Sequence, residues 1–166
     1  MKKEAPRNAK GLVTKVALGL LAVGGGLVVI AMAPGLGMAL KLIDPNPRKA
    51  MDKLERALGR LAGDGDVEVY SEKGKKKYRI ASSGEQKLAR LQFSEYQTPK
   101  FSKWNGKWWI VCFDIPETEK YNRTLFQTKL SDLGFCRLQN SIFVYPYACT
   151  ALISLAYKAF GFEKCI

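Results

Sequence analysis

Residues 104–147 read WNGKWWIVCFDIPETEKYNRTLFQTKLSDLGFCRLQNSIFVYPY, and their pattern decides the C-terminal part of the fold. Trp108 to Phe113 is an unbroken apolar run, too short for a helix and rich in β-formers, which predicts a strand buried on both faces. Asp114 ends it. Ile115-Pro116-Glu117 then carries helix-start chemistry, because Pro is tolerated in a first turn and the acids Glu117 and Glu119 are favoured there by the backbone dipole. Tyr121, Leu125, Phe126, Leu130 and Leu133 recur at helical intervals, and Gly134 supplies a left-handed stop. Phe135 to Gln139 and Ile142 to Tyr145 flank the polar pair Asn140-Ser141, which predicts a hairpin.

Beyond Tyr147 the apolar positions Leu152, Ile153, Leu155, Ala156 and Phe160 predict a second helix over Cys149–Phe160, with Gly161 as its stop. Lys164-Cys165-Ile166 should open a fourth strand. An unpaired sheet edge invites association, so the missing strand belongs either to chain beyond Ile166 or to a partner. The whole order is the front of a ferredoxin-like βαββαβ unit.

The segments F-D-I-P-E, L-G-F and L-Q-N-S-I-F-V-Y-P-Y resemble the small ferredoxin-like endonuclease subunit of CRISPR adaptation. They are still more similar to the version of that domain embedded in PaaX-type (phenylacetic acid degradation repressor-like) transcriptional regulators, to which Trp104 and Trp108 also point. The resemblance implies a domain that dimerises through its sheet. In the nuclease group it also implies that the strand-end aspartate of each protomer meets its twin around a divalent metal, and Asp114 matches that position. A lone carboxylate holds magnesium or manganese poorly, so catalysis would need the symmetry mate, waters and substrate phosphate together. The plainer reading is a strand-end Asp bonded to its own turn.

Upstream, the charge is strongly basic. The chain has 166 residues, 27 Lys and Arg, 15 Asp and Glu, no histidine and a net charge of +12. Most of the basic excess lies before residue 104, which points to a polyanion as partner through counterion release and long-range attraction. Zinc fingers, histidine general bases and Cys/His nucleophile pairs are excluded or disfavoured, since Cys112, Cys136, Cys149 and Cys165 are widely spaced. Cys112 and Cys136 are expected to be buried in strands as small hydrophobes, and all four to be free thiols in a reducing cytoplasm.

Pro47 to Ala62 has the clearest amphipathic pattern. Met51, Leu54, Leu58 and Leu61 fall on one side of a helix, with Lys49, Lys53, Arg56 and Arg60 almost opposite. Asn46 suits the N-cap, Pro47 the first turn and Gly63 the stop. Val67, Val69, Tyr78 and Ile80 then bracket SEKGKKK, which predicts a hairpin with a lysine-rich tip near Gly74. Apolar helix, basic helix and basic hairpin is the order of a winged helix, whose second helix enters the major groove while the wing meets phosphate. The candidate DNA contacts are therefore Lys49, Lys53, Arg56 and Arg60 on the helix and Lys73, Lys75, Lys76 and Lys77 on the wing. Against this stands the plainer reading of a solvated helix face, with Asp52 and Glu55 pairing some of the charge.

Val16 to Leu40 carries no charge between Lys15 and Lys41. A span of ~20 apolar residues is the usual mark of a membrane helix. Gly24-Gly25-Gly26 and Pro34-Gly35 instead break it into two short core helices, roughly 12–23 and 27–33. A membrane anchor and a cleaved leader, with Lys2 and Lys3 at its start and Ala31-Met32-Ala33 as the cut, are the alternatives. A further short helix is expected over Gly84–Leu91.

The expected architecture is α+β, with a basic tail (1–10), a winged-helix-like DNA-binding domain (11–91), a linker (92–103) around Pro99, and a ferredoxin-like dimerisation domain (104–166). The expected function is binding of double-stranded DNA by a non-catalytic homodimeric regulator that needs no cofactor. The competing expectations are a magnesium- or manganese-dependent endonuclease or spacer-capture subunit using Asp114, and a membrane-anchored protein.

Overall fold

The computed structural model describes residues 9–24, 30, 33, 35–98, 103–162 and 164–166. The expected helix at 27–33, the leader cleavage site and Pro99 lie largely or wholly outside the described residues, as does most of the basic tail. The structure is mixed α+β and divides into two compact units, Met1–Leu88 and Ala89–Ile166.

In the first unit, helix α1 (Ala9–Gly24) is followed by α2 (Leu36–Ile43) and α3 (Pro47–Gly63). Helix α1 starts three residues earlier than its apolar pattern suggested. It buries Leu18 and Leu21 fully, in a core shared with Ala39, Leu54, Leu58, Leu61, Val67 and Leu88. Helix α2 was not foreseen, because Pro34-Gly35 reads as a breaker. Gly35 is instead the residue before a helix, in the left-handed region at φ 74°. Among the described residues no helix is long and apolar enough to cross a membrane.

Helix α3 follows its sequence signals closely. The Asn46 side chain accepts hydrogen bonds from the backbone N–H of Arg48 (3.0 Å) and Lys49 (3.3 Å), and Pro47 takes the first turn where no N–H is required. Gly63 is the last helical residue, and the left-handed stop is Gly65 at φ 79°. Strands β1 (Val67–Glu72) and β2 (Lys75–Ile80) pair antiparallel from Val67–Ile80 to Glu72–Lys75. Their two-residue turn, Lys73-Gly74, has both φ angles positive (50° and 73°), the signature of the tight hairpin turn whose twist matches the strands.

Helix α4 (Ser82–Glu95) is longer than the Gly84–Leu91 expected and runs into the stretch read as linker. The reason is Phe93, which is buried in the core of the second unit. The corner before α4 is tied by Asp66. Its N–H donates to the Leu61 carbonyl (2.8 Å), its carbonyl accepts from Ala81 N–H (3.0 Å), and its carboxylate accepts from Lys87 Nζ (2.5 Å). The hydrogen bond to Asp66 is the main cause holding the Lys87 ammonium above its ordinary pKa.

The second unit continues with β3 (Trp109–Cys112), a 3-10 turn (Glu117–Glu119), α5 (Lys120–Asp132), β4 (Cys136–Gln139), β5 (Ile142–Tyr145) and α6 (Thr150–Phe160). The sheet order is β3-β5-β4, antiparallel throughout, with an irregular register between Arg137 and Gln139. Val111, Phe113, Phe143 and Tyr145 line its inner face, where Phe126 and Leu130 of α5 and Leu152 and Ala156 of α6 complete the core. Gly134 (φ 87°) and Gly161 (φ 74°) follow α5 and α6 in the left-handed conformation anticipated for them.

Three expectations are corrected here. Strand β3 is buried on one face only, since Ile110 is 63% exposed, because helices cover just one side of the sheet. Cys112 and Cys136 are exposed rather than buried, since register Ile110–Val144–Cys136 puts Cys136 on that open side and alternation puts Cys112 there too. Tyr121 and Leu125 sit on the outer side of α5, 76% and 40% exposed. The thiols of all four cysteines are free.

Lys164-Cys165 forms a turn instead of a strand. A backbone bond, Asp114 N–H to the Cys165 carbonyl (2.7 Å), joins it to the end of β3. Phe113 N–H donates to the Ser141 carbonyl on the opposite side. By alternation, the peptide groups of Ile110 and Cys112 therefore point toward the edge of β3 that lacks a paired strand among the described residues.

Candidate functional site

Three cationic residues of α3, Lys53, Arg56 and Arg60, border concavities of this unit. On one side Lys53, Arg56 and Arg60 join Lys10, Leu12 and Val13 of α1 and Ile43 of α2 around a cavity of about 250 Å³. Lys53 is not a free charge in it. Its Nζ lies 2.6 Å from Asp44 Oδ2, and this bond, with the Asn46 N–H, holds the Asp44 carboxyl below its usual range. On the other side Asp52, Glu55, Arg56 and Gly59 face Val69, Lys76 and Tyr78 of the hairpin across a cleft of about 750 Å³. Arg56 borders both, with its Nε bonded to the Asp52 carbonyl (3.0 Å). Lys49 is exposed near the start of α3 and borders neither.

Strand alternation divides the wing lysines as well. Val69, Lys76 and Tyr78 share the face toward α3, so Lys75, Lys77 and Arg79 share the opposite one with Glu68, Tyr70 and Glu72. That opposite face is internally paired. Lys77 bonds Glu72, Arg79 lies 3.6 Å from Glu68 and over the Tyr70 ring, and Tyr70 donates to Glu68 (2.6 Å). Lys73 occupies the turn itself and is exposed. Lys10 was read only as the end of the basic tail, and the packing of α1 on α3 brings it to Arg56 and Arg60.

The second unit holds a polar cavity of about 350 Å³ beneath Asp114. Phe113 and Ile115 floor it; Lys120, Arg123, Thr124 and Gln127 come from α5; Arg137, Asn140 and Ser141 come from the β4–β5 hairpin. Arg123 Nη2 donates to Glu117 (2.5 Å), and this bond, with Lys120 nearby, keeps the Glu117 carboxyl below its ordinary pKa. Arg137 donates to Asn140 Oδ1 (2.5 Å) and to the Gln139 carbonyl (3.3 Å), and has no acidic partner among the described residues. Gln127 Nε2 donates to the Asn140 carbonyl (2.8 Å), which fixes the hairpin against α5.

Within one protomer this lining offers a divalent cation a single carboxylate, and the second Asp114 that the resemblance implies would come from a partner copy. Magnesium and manganese want several oxygen donors of negative or neutral charge, whereas Asp114 is the one carboxylate here among three cationic side chains. Among the described residues no group of three or more His, Cys, Asp or Glu could hold a metal ion.

Residues 102–166 match the family model described as the PaaX protein central Cas2-like domain. In these residues the chain is PaaX-like, with a Cas2-like domain. No curated protein and no solved structure matched the chain. The Cas2-like domain thus begins just ahead of β3 and includes both the open sheet face and the Asp114 cavity, while the cation-lined concavities around α3 lie outside it.

Proposed function

We propose that this PaaX-like protein is a DNA-binding transcriptional regulator acting in the cytoplasm as a non-catalytic homodimer. In this reading the first unit is winged-helix-like, with α3 as the recognition helix and the β1–β2 hairpin as the wing, and the Cas2-like domain is a ferredoxin-like dimerisation module. The observation that carries it is Arg56, a cation that borders both the α1 cavity and the hairpin cleft and so stands where a duplex backbone would meet helix and wing together. A net charge of +12 supports a polyanionic partner.

Fluorescence anisotropy of a duplex containing the promoter region of the gene itself, in EDTA and across a salt series, tests the DNA reading. Affinity falls steeply with salt. Arg56→Ala with Arg60→Ala lowers the slope of log K against log salt by about 2, roughly one unit per lost phosphate contact. Lys77→Ala changes it little, because Lys77 faces away from α3 and is paired with Glu72. Equal losses from both variants would show that only bulk charge matters.

Pairing through the sheet is supported by its open face, where Ile110 is 63% exposed, with Trp108 just ahead of β3 59% exposed. Large apolar side chains in one patch mark interfaces more often than solvent-facing surface. Ile110→Glu is expected to shift the sedimentation coefficient from dimer to monomer at micromolar concentration with the fold retained, and an unchanged dimer would place the interface elsewhere.

A further inference from the structure

The Asp114 cavity combines two kinds of polar group that seldom share a site without purpose. Lys120, Arg123 and Arg137 converge on it from α5 and β4, yet Asp114 opens into the same space with no ion-pair partner among the described residues. Two of Arg137's five N–H donors are used within the hairpin, and the rest remain for a ligand, in a fork geometry that suits phosphate. A dianion alone would be repelled by Asp114. A ligand whose anionic group lies toward Arg137 and Lys120, and whose free hydroxyls donate to the Asp114 carboxylate, satisfies both.

We propose that this cavity is a metal-independent binding site for a small phosphomonoester that also carries free hydroxyls, the chemistry of a sugar phosphate or a nucleotide. Arg137 is the principal phosphate contact, Lys120 and Arg123, which share Glu117 as ion-pair partner, add a smaller positive field, and Asp114 accepts from the hydroxyls. Thr124 and Gln127 border the same space, and the buried Phe113 and Ile115 close its floor. About 350 Å³ falls within the range of small-molecule sites, and its lining comes from the end of β3, α5 and the β4–β5 hairpin together. The site lies in the Cas2-like domain and does not depend on duplex binding by α3.

The test is isothermal titration of the full chain in EDTA with ribose 5-phosphate, inorganic phosphate and ribose as separate probes. Ribose 5-phosphate binds saturably, inorganic phosphate more weakly, and ribose not at all. Arg137→Gln weakens ribose 5-phosphate at least tenfold without moving the melting midpoint, since the side chain is exposed. Asp114→Asn weakens ribose 5-phosphate while leaving inorganic phosphate as tight or tighter. Binding that appears only with added magnesium would overturn the proposal, as would an Arg137→Gln protein that binds like the parent. So would silence from both phosphates at concentrations on the order of 10 mM. An Arg137→Gln loss confined to duplex DNA would assign the cations to nucleic acid and overturn it too.

Discussion

Phe126→Ala is expected to lower the stability of the second unit by about 3–5 kcal/mol, the range for deleting a fully buried aromatic side chain and leaving its cavity behind. Phe126 is wholly inaccessible to solvent and sits at the centre of an aromatic cluster. Its ring lies 5.3 Å from Phe113 and 6.0 Å from Phe162, edge-on to both, and 6.1 Å from Phe93, roughly parallel. These three neighbours come from α4, the end of β3 and the segment after α6. One truncation therefore loosens both helices against the sheet. A unit of this size commonly has only roughly 4–12 kcal/mol of net stability, so much of it would be lost. Trp104, Trp108 and Trp109 are the chain's only tryptophans, so intrinsic fluorescence during urea unfolding reports on this unit alone. A midpoint that falls by less than the equivalent of ~1 kcal/mol would contradict the packing described.

In the first unit a further large effect is expected at Gly84. A Cβ there would collide with the backbone carbonyl oxygen of Asp66 and press on Ile80 Cγ1 at 3.0 Å. That carbonyl cannot step aside, because it accepts the Ala81 N–H while the Asp66 N–H and carboxylate are held by Leu61 and Lys87. Ala is the better helix former by up to ~1 kcal/mol, and in an open helix Gly→Ala stabilises. Here the overlap outweighs it, for a net loss of about 1–3 kcal/mol. Gly59→Ala in α3 is the matched control, since nothing lies within 4 Å of its added methyl group. Thermal unfolding followed by far-ultraviolet circular dichroism should show the two variants moving the midpoint in opposite directions. Gly84→Ala with an unchanged or raised midpoint would mean that the close approach of α4 to Asp66 does not exist.

What could be read from the sequence was what is local. Asn46-Pro47 announced the start of α3 because cap and first-turn chemistry act within three residues. Val67, Val69, Tyr78 and Ile80 announced the hairpin because strand-forming residues bracket a polar run with Gly74 near its tip. Helix α2 escaped because Pro34-Gly35 resembles an interruption, and a residue that ends one element can equally precede the next. The apolar run at β3 concealed its one open face, since Ile110 and Val111 are chemically alike and only the placement of helices tells them apart. The surroundings of Asp114 were the least legible feature. Arg137 reaches them through hairpin register, and no spacing within the chain pairs an aspartate at a strand end with an arginine on a strand two places across the sheet.

The outward-turned peptide groups of Ile110 and Cys112 carry a practical implication. Amides with no paired strand among the described residues, set beside oily side chains, are a template onto which an extended segment can zip. Stock solutions should therefore turn cloudy on concentrating unless that rim is shielded. Lysine at Ile110 would blunt the rim at the expense of the very surface on which two copies are proposed to meet, so dilution is the gentler remedy.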